Sequence, residues 1–147
     1  MRVIFVLCSV FVASLAYTNE DIQKLKQFHS AFFKCQESPA THIDEEVLTK
    51  VRNHQRLTQV PENTGDFLLC LAQHLQLQDA DGNLNLATIR ERIQHHEKDP
   101  SRVDELMDTC IVQKLTPQYT AIHMFACLSR EGLKVGHTKV EALLEVL

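Results

Sequence analysis

Apolar residues recur along this chain at intervals of three and four, with polar residues filling the positions between them. That is the pattern of amphipathic helices rather than strands. It is densest in Phe67-Leu-Leu-Cys-Leu-Ala-Gln-His-Leu75, where Leu68, Leu71, Ala72 and Leu75 share one face and Cys70 lies among them. This helix breaks at Asp79-Ala-Asp-Gly82: glycine accepts positive φ, Asp and Asn side chains close local turns, and the chain reverses. Upstream, a helix runs from residue 18 or 19 through Cys35, with Asn19 placed as its cap and Glu20 and Asp21 at the positive end of its dipole. Its inward stripe is Ile22, Leu25, Phe28 or His29, Phe32 and Phe33, and Ser38-Pro39 stops it. A short helix over 43–53 carries Ile43, Val47, Leu48 and Val51. Beyond the loop, helices are predicted over 86–96, 102–113 and 117–130. Asp99-Pro100 reads as a break with Ser101 as the following cap, and Pro117 suits the first turn of the last of these helices. Ile122, Met124, Phe125, Ala126, Cys127 and Leu128 make that helix apolar almost all round, which suits a central position. A final segment over 138–147 has Val140, Leu143, Leu144 and Leu147 on one side. The fold class is all-α, six short helices plus a C-terminal segment.

The first residues do not fit this scheme. Arg2, the apolar run Val3–Phe11 and the small residues of Ser14-Leu15-Ala16 have the form of a secretory signal peptide over 1–16, with the mature domain spanning 17–147. The apolar run is well short of the roughly 18 residues that span a bilayer, which argues against stable membrane insertion. Removing the leader takes Cys8 with it and leaves Cys35, Cys70, Cys110 and Cys127. An even set in a small secreted chain implies two disulfides, with three connectivities open. No pair has the C-x-x-C spacing of a zinc or redox site.

Loss of Arg2 leaves 14 basic against 19 acidic side chains, a net charge of −5 spread along the chain, which argues against nucleic acid as a partner. With 44% hydrophobic residues over the full chain and only four each of Gly and Pro, the sequence suits one compact helical domain. The Asp79–Asn85 run suggests a calcium loop, but its sixth position is Leu84 rather than Gly and its twelfth is Arg90 rather than Glu. Of the eight histidines only His95 and His96 are adjacent, and neighbours on a helix point apart, so neither metal nor cofactor is expected. His123, within the apolar sixth helix, is read as a satisfied buried histidine ahead of the alternatives of a ligand contact or a pH switch. No nucleophile has a histidine and carboxylate beside it in any recognisable pattern, which argues against an enzyme.

The six helices, the leader, Cys35 closing the first helix, and Cys70 followed by Leu-x-Leu-x-Asp-x-Asp-Gly-x-Leu-Asn resemble the insect odorant- and pheromone-binding proteins. So does a second cysteine pair on helices five and six. The family pattern has six cysteines, and the chain is similar to its four-cysteine, or minus-C, branch. The family's second and fifth cysteines would fall at Asp66 and Gln118. The resemblance implies the pairing Cys35–Cys70 and Cys110–Cys127, a contact between Asp66 and Gln118 in place of the missing bridge, and a helical shell around an apolar cavity. Carried over position by position, it implies a lining of Phe28, Leu68, Ala72, Leu77, Leu84, Met107 and Leu128; helical periodicity adds Phe125.

The function expected is a secreted, non-enzymatic carrier of small hydrophobic molecules (odorant, pheromone or lipid-like) in sensillar lymph, haemolymph or a gland secretion. It would act as a monomer or weak homodimer, with a chemosensory receptor as a further partner. The C-terminal segment would cover the cavity mouth, with Glu141 and Glu145 holding its outer side in water. The rival reading is a secreted helical signalling or interaction protein with a filled core and a protein partner.

Overall fold

In a computed structural model, residues 18–53, 55 and 57–133 are described. The leader, Tyr17 and the segment 138–147 lie outside them. Among the described residues six helices follow one another: α1 Asn19–Glu37, α2 Glu45–Arg52, α3 Thr64–His74, α4 Leu86–His96, α5 Pro100–Cys110 and α6 Pro117–Arg130. The described residues contain no strand; Gln78 and Leu84 form an isolated antiparallel bridge. The fold is all-α.

Helix ends follow local chemistry. Thr18, not Asn19, caps α1: its hydroxyl accepts from the Asp21 amide, and the Asp21 carboxylate accepts from the Thr18 amide, a reciprocal capping box. α4 and α6 have the predicted bounds, with Asn85 and Thr116 side chains capping them. α5 differs. Asp99 Oδ1 accepts from the Ser101 amide, so Asp99 is the cap in place of Ser101. Pro100 opens the helix, because the first turn has no use for its missing N–H. The helix stops at Cys110, short of Gln113, whose side chain is bound to Gly82, Thr120 and the Leu84 amide. α3 starts three residues earlier than Phe67, at Thr64. Gly65, in its first turn, permits close packing on α6, since a Cβ there would stand 3.0 Å from Gln118 Cβ.

α3 packs most extensively on α6, and also on α1; α5 joins α6 and α4. Phe67, Leu68, Leu71, Met124 and Phe125 are essentially inaccessible at the α3–α6 junction. Phe32 meets Phe67 edge to face, with centroids 5.7 Å apart. α1 buries Phe28, Ala31, Phe32 and Cys35, but Ile22 and Leu25 are exposed and Phe33 is 62% exposed, so of the expected inward stripe only Phe28 and Phe32 are buried. The Gln36 amide pairs with both backbone groups of Ile43, at 2.7 and 2.9 Å, and seats the chain before α2.

Disulfides join α1 to α3 (Cys35–Cys70, Cα–Cα 5.9 Å) and α5 to α6 (Cys110–Cys127, Cα–Cα 5.3 Å), the pairing the resemblance implies. Both separations lie within the ordinary disulfide range.

Candidate ligand site

The sequence-predicted lining comes from five separate parts of the chain. Phe28 lies on α1, Leu68 and Ala72 on α3, Leu77 and Leu84 flank the loop, Met107 is on α5, and Phe125 and Leu128 are on α6. Seven are buried and Leu84 is half-buried; all belong to one continuous apolar cluster. The same cluster takes in Val103 and Leu106 from α5, which the helical spacing marks as core, and Ile89 and Ile93 from α4, which were not singled out from the sequence. Their helical spacing is the signal that could have added them.

The loop after α3 is held by its own polar groups. Gln76 adopts a left-handed φ of 60°, which lets the Leu77 and Gln78 amides both turn back to the Ala72 carbonyl at 2.8 and 3.3 Å. Asp79 Oδ1 accepts from the amides of Asp81 and Asn83 at 2.9 and 2.8 Å, while Oδ2 takes the Asn83 side-chain amide. The Asn83 side chain first, and then its backbone N–H, hold the Asp79 carboxyl below its ordinary range. That carboxylate is occupied by the loop itself. Gly82 has φ +85°, and a Cβ there would fall 2.4 Å from Pro117 Cβ, so the loop lies directly on the start of α6.

Gln78 lies under this loop and is 2% exposed. Its Nε2 donates to the carbonyls of Gly82 at 2.8 Å and Pro117 at 3.2 Å, whereas Oε1 has no hydrogen-bond partner among the described residues. Sequence reading passed over this residue, since a glutamine between Leu77 and the Asp79 turn reads as a polar loop position.

On the outer surface, Gln118 Nε2 donates to Asp66 Oδ1 at 3.0 Å, the contact the resemblance suggests. A half-open cleft of about 280 Å³ surrounds the pair, lined by Glu62, Gly65, Asp66, Thr116, Gln118, Tyr119 and Ile122. Its lining is mixed rather than apolar, unlike the interior cluster.

Among the described residues, Cys35, Cys70 and His74 bring three potential metal-ligand atoms within 4.8 Å of one another. Both sulfurs are in the disulfide, and metal binds thiolate, so the oxidised protein offers only the exposed His74 ring there. His123 is half-buried rather than fully buried, with Nε2 3.3 Å from the Thr109 carbonyl oxygen. His95 lies between α4 and α1, with Nε2 2.6 Å from Asp21 Oδ1 and Nδ1 3.3 Å from Glu20 Oε1. The Thr18 hydroxyl, then the His95 ring, hold the Asp21 carboxyl far below its usual range.

No described helix is long and apolar enough to cross a membrane. No curated protein and no solved structure matches the chain. A profile of the PBP/GOBP family matches residues 16–131, a span that includes all six helices and both disulfides. Proteins of that family are binders and carriers rather than enzymes. The chain belongs to the PBP/GOBP family, the pheromone- and odorant-binding proteins.

Proposed function

We propose that the protein is a secreted carrier that holds small hydrophobic molecules in its interior without covalent chemistry. Membership of the family supplies the class of function. The observation that carries the site is the meeting of Phe28, Leu68, Ala72, Leu77, Leu84, Met107, Phe125 and Leu128, distant in sequence, in one apolar cluster. An apolar ligand entering it gains roughly 25 cal/mol for each Å² of its surface removed from water, and needs few specific contacts to be held. In this reading, residues 1–16 are the leader that sends the chain out of the cell. The four-cysteine state is what distinguishes the chain within its family: where six-cysteine relatives carry a third bridge, Asp66 and Gln118 make a hydrogen bond.

The test is displacement of the apolar dye N-phenylnaphthylamine by medium-chain alcohols, aldehydes and fatty acids. The protein is taken from the medium of a host expressing the full chain. Saturable dye binding at one site, with micromolar competition by some of these compounds, is the expected result. Absence of binding by folded, fully oxidised protein would overturn the carrier reading in favour of a filled helical bundle with a protein partner.

A further inference from the structure

Three polar side chains are buried among the described residues: Thr64, Gln78 and Thr120. Thr64 Oγ1 donates to the Pro61 carbonyl at 2.7 Å, and Thr120 Oγ1 donates to the Thr116 carbonyl and accepts from the Lys114 amide. Gln78 differs, because its donor end is bound twice and its acceptor end is unbound. The amide cannot simply be turned over. Reversal would set Oε1 against the Gly82 and Pro117 carbonyl oxygens, so those two carbonyls fix which end is left without a partner.

A buried acceptor without a donor has lost its hydration and received nothing in return, and a donor delivered to it in a dry site is correspondingly favourable. Gln78 also sits where such a donor would be useful. It follows Leu77 directly and pairs with Leu84 across the bridge, and both leucines pack into the apolar cluster. The left-handed turn at Gln76 brings Leu77 and Gln78 below the surface together.

We infer that Gln78 Oε1 is the polar point of the ligand site, selecting molecules that donate a hydrogen bond, such as alcohols and phenols, over ethers, aldehydes and hydrocarbons. The inference rests on the carrier reading. An alcohol gives its O–H to Oε1 while its alkyl chain lies among the leucines. An ether or aldehyde of the same length brings only acceptors: it leaves Oε1 unpaired and buries its own oxygen without a partner.

The experiment uses the dye-displacement assay with a medium-chain alcohol, its methyl ether and the matching aldehyde on wild type and Gln78→Leu. Wild type should prefer the alcohol by about tenfold, the worth of one buried hydrogen bond, and Q78L should lose that preference. In wild type the Gln78 side-chain amide resonances should also shift with the alcohol and not with the ether. That measurement decides the matter if Q78L does not fold. Equal competition by alcohol and ether in a dye-binding wild type would overturn the inference and leave the carrier standing. So would a Q78L that weakens all three ligands alike, the result expected if Gln78 only braces the loop or holds a water. Failure of the folded protein to bind dye would remove the carrier reading and this inference with it.

Discussion

Gly82 carries two constraints at once, a φ of +85° and no room for a Cβ against Pro117. Gly132 shares the first, at φ +84°, but no described residue lies within 4 Å of a Cβ there. Comparing the two therefore separates backbone strain from close approach. Gly132→Ala should cost about 1–2 kcal/mol, the penalty of a left-handed alanine. Gly82→Ala should cost roughly 2–3 kcal/mol more, because the loop must lift off α6 or the helix must shift. Urea denaturation of both variants measures this, and equal losses would mean that the loop relaxes away from Pro117 freely. Gln76 is the converse case. A residue with a side chain occupies a φ of 60° there, so Gln76→Gly relieves left-handed strain while loosening the unfolded chain. The net should be a gain of less than about 1 kcal/mol, visible as a small rise in the urea midpoint.

At the level of elements, α3 and α6 share the largest helix contact, yet at the Asp66–Gln118 position a single hydrogen bond stands where a family disulfide would be. Such a bond contributes about 1 kcal/mol, whereas a disulfide closing a loop of this 52-residue separation contributes about 4. The double variant D66C/Q118C should oxidise to a third bridge and stabilise the protein by roughly 3 kcal/mol, read by intact mass and by urea denaturation. Failure of that pair to oxidise beside two intact native bridges would show that the positions do not correspond to the missing cysteines. The helices themselves were legible where the residue that opens or precedes them is distinctive, as at the loop ending in Asn85 before α4 and at Pro117 opening α6. Where one residue serves two purposes, the reading failed. Gly65 looks like a turn residue but permits close packing on Gln118, and Pro100 looks like a break but suits a first turn. Ile22 and Leu25 continue the α1 period beyond the part of that helix that is covered, and periodicity alone does not say where a neighbour ends. For the site, the family resemblance and, at Phe125, helical periodicity found residues that share one cluster, but neither carries a sign for a buried polar atom such as Gln78 Oε1.

Across the whole molecule, apolar contacts and two disulfides hold the interior, while polar ties fasten the periphery. Arg90–Asp104 links α4 to α5, and Arg102 bridges Glu105 and Glu131; exposed pairs of this kind contribute little. The tie between the start of α1 and the end of α4 has more consequence for pH. There Glu20, Asp21 and Lys24 face His95 and His96, with Lys98 close by. Asp21 accepts from the Thr18 hydroxyl, from His95 and from the Thr18 amide, so its carboxyl ionises at lower pH in the folded state than in the unfolded chain. In the interval between those two values the unfolded chain binds more protons, and stability rises with pH. The contribution of Asp21 is therefore fully present above the ordinary carboxylate value near pH 4 and is lost as pH falls below it. Wild type should melt above Asp21→Asn at neutral pH, by a margin that stays constant down to about pH 5 and narrows steadily as the medium is acidified further. Melting temperatures of the two proteins across that range provide the check. A margin unchanged at the acid end would mean that Asp21 works by the shape of its cap rather than by its charge, and that the α1–α4 tie does not respond to acid.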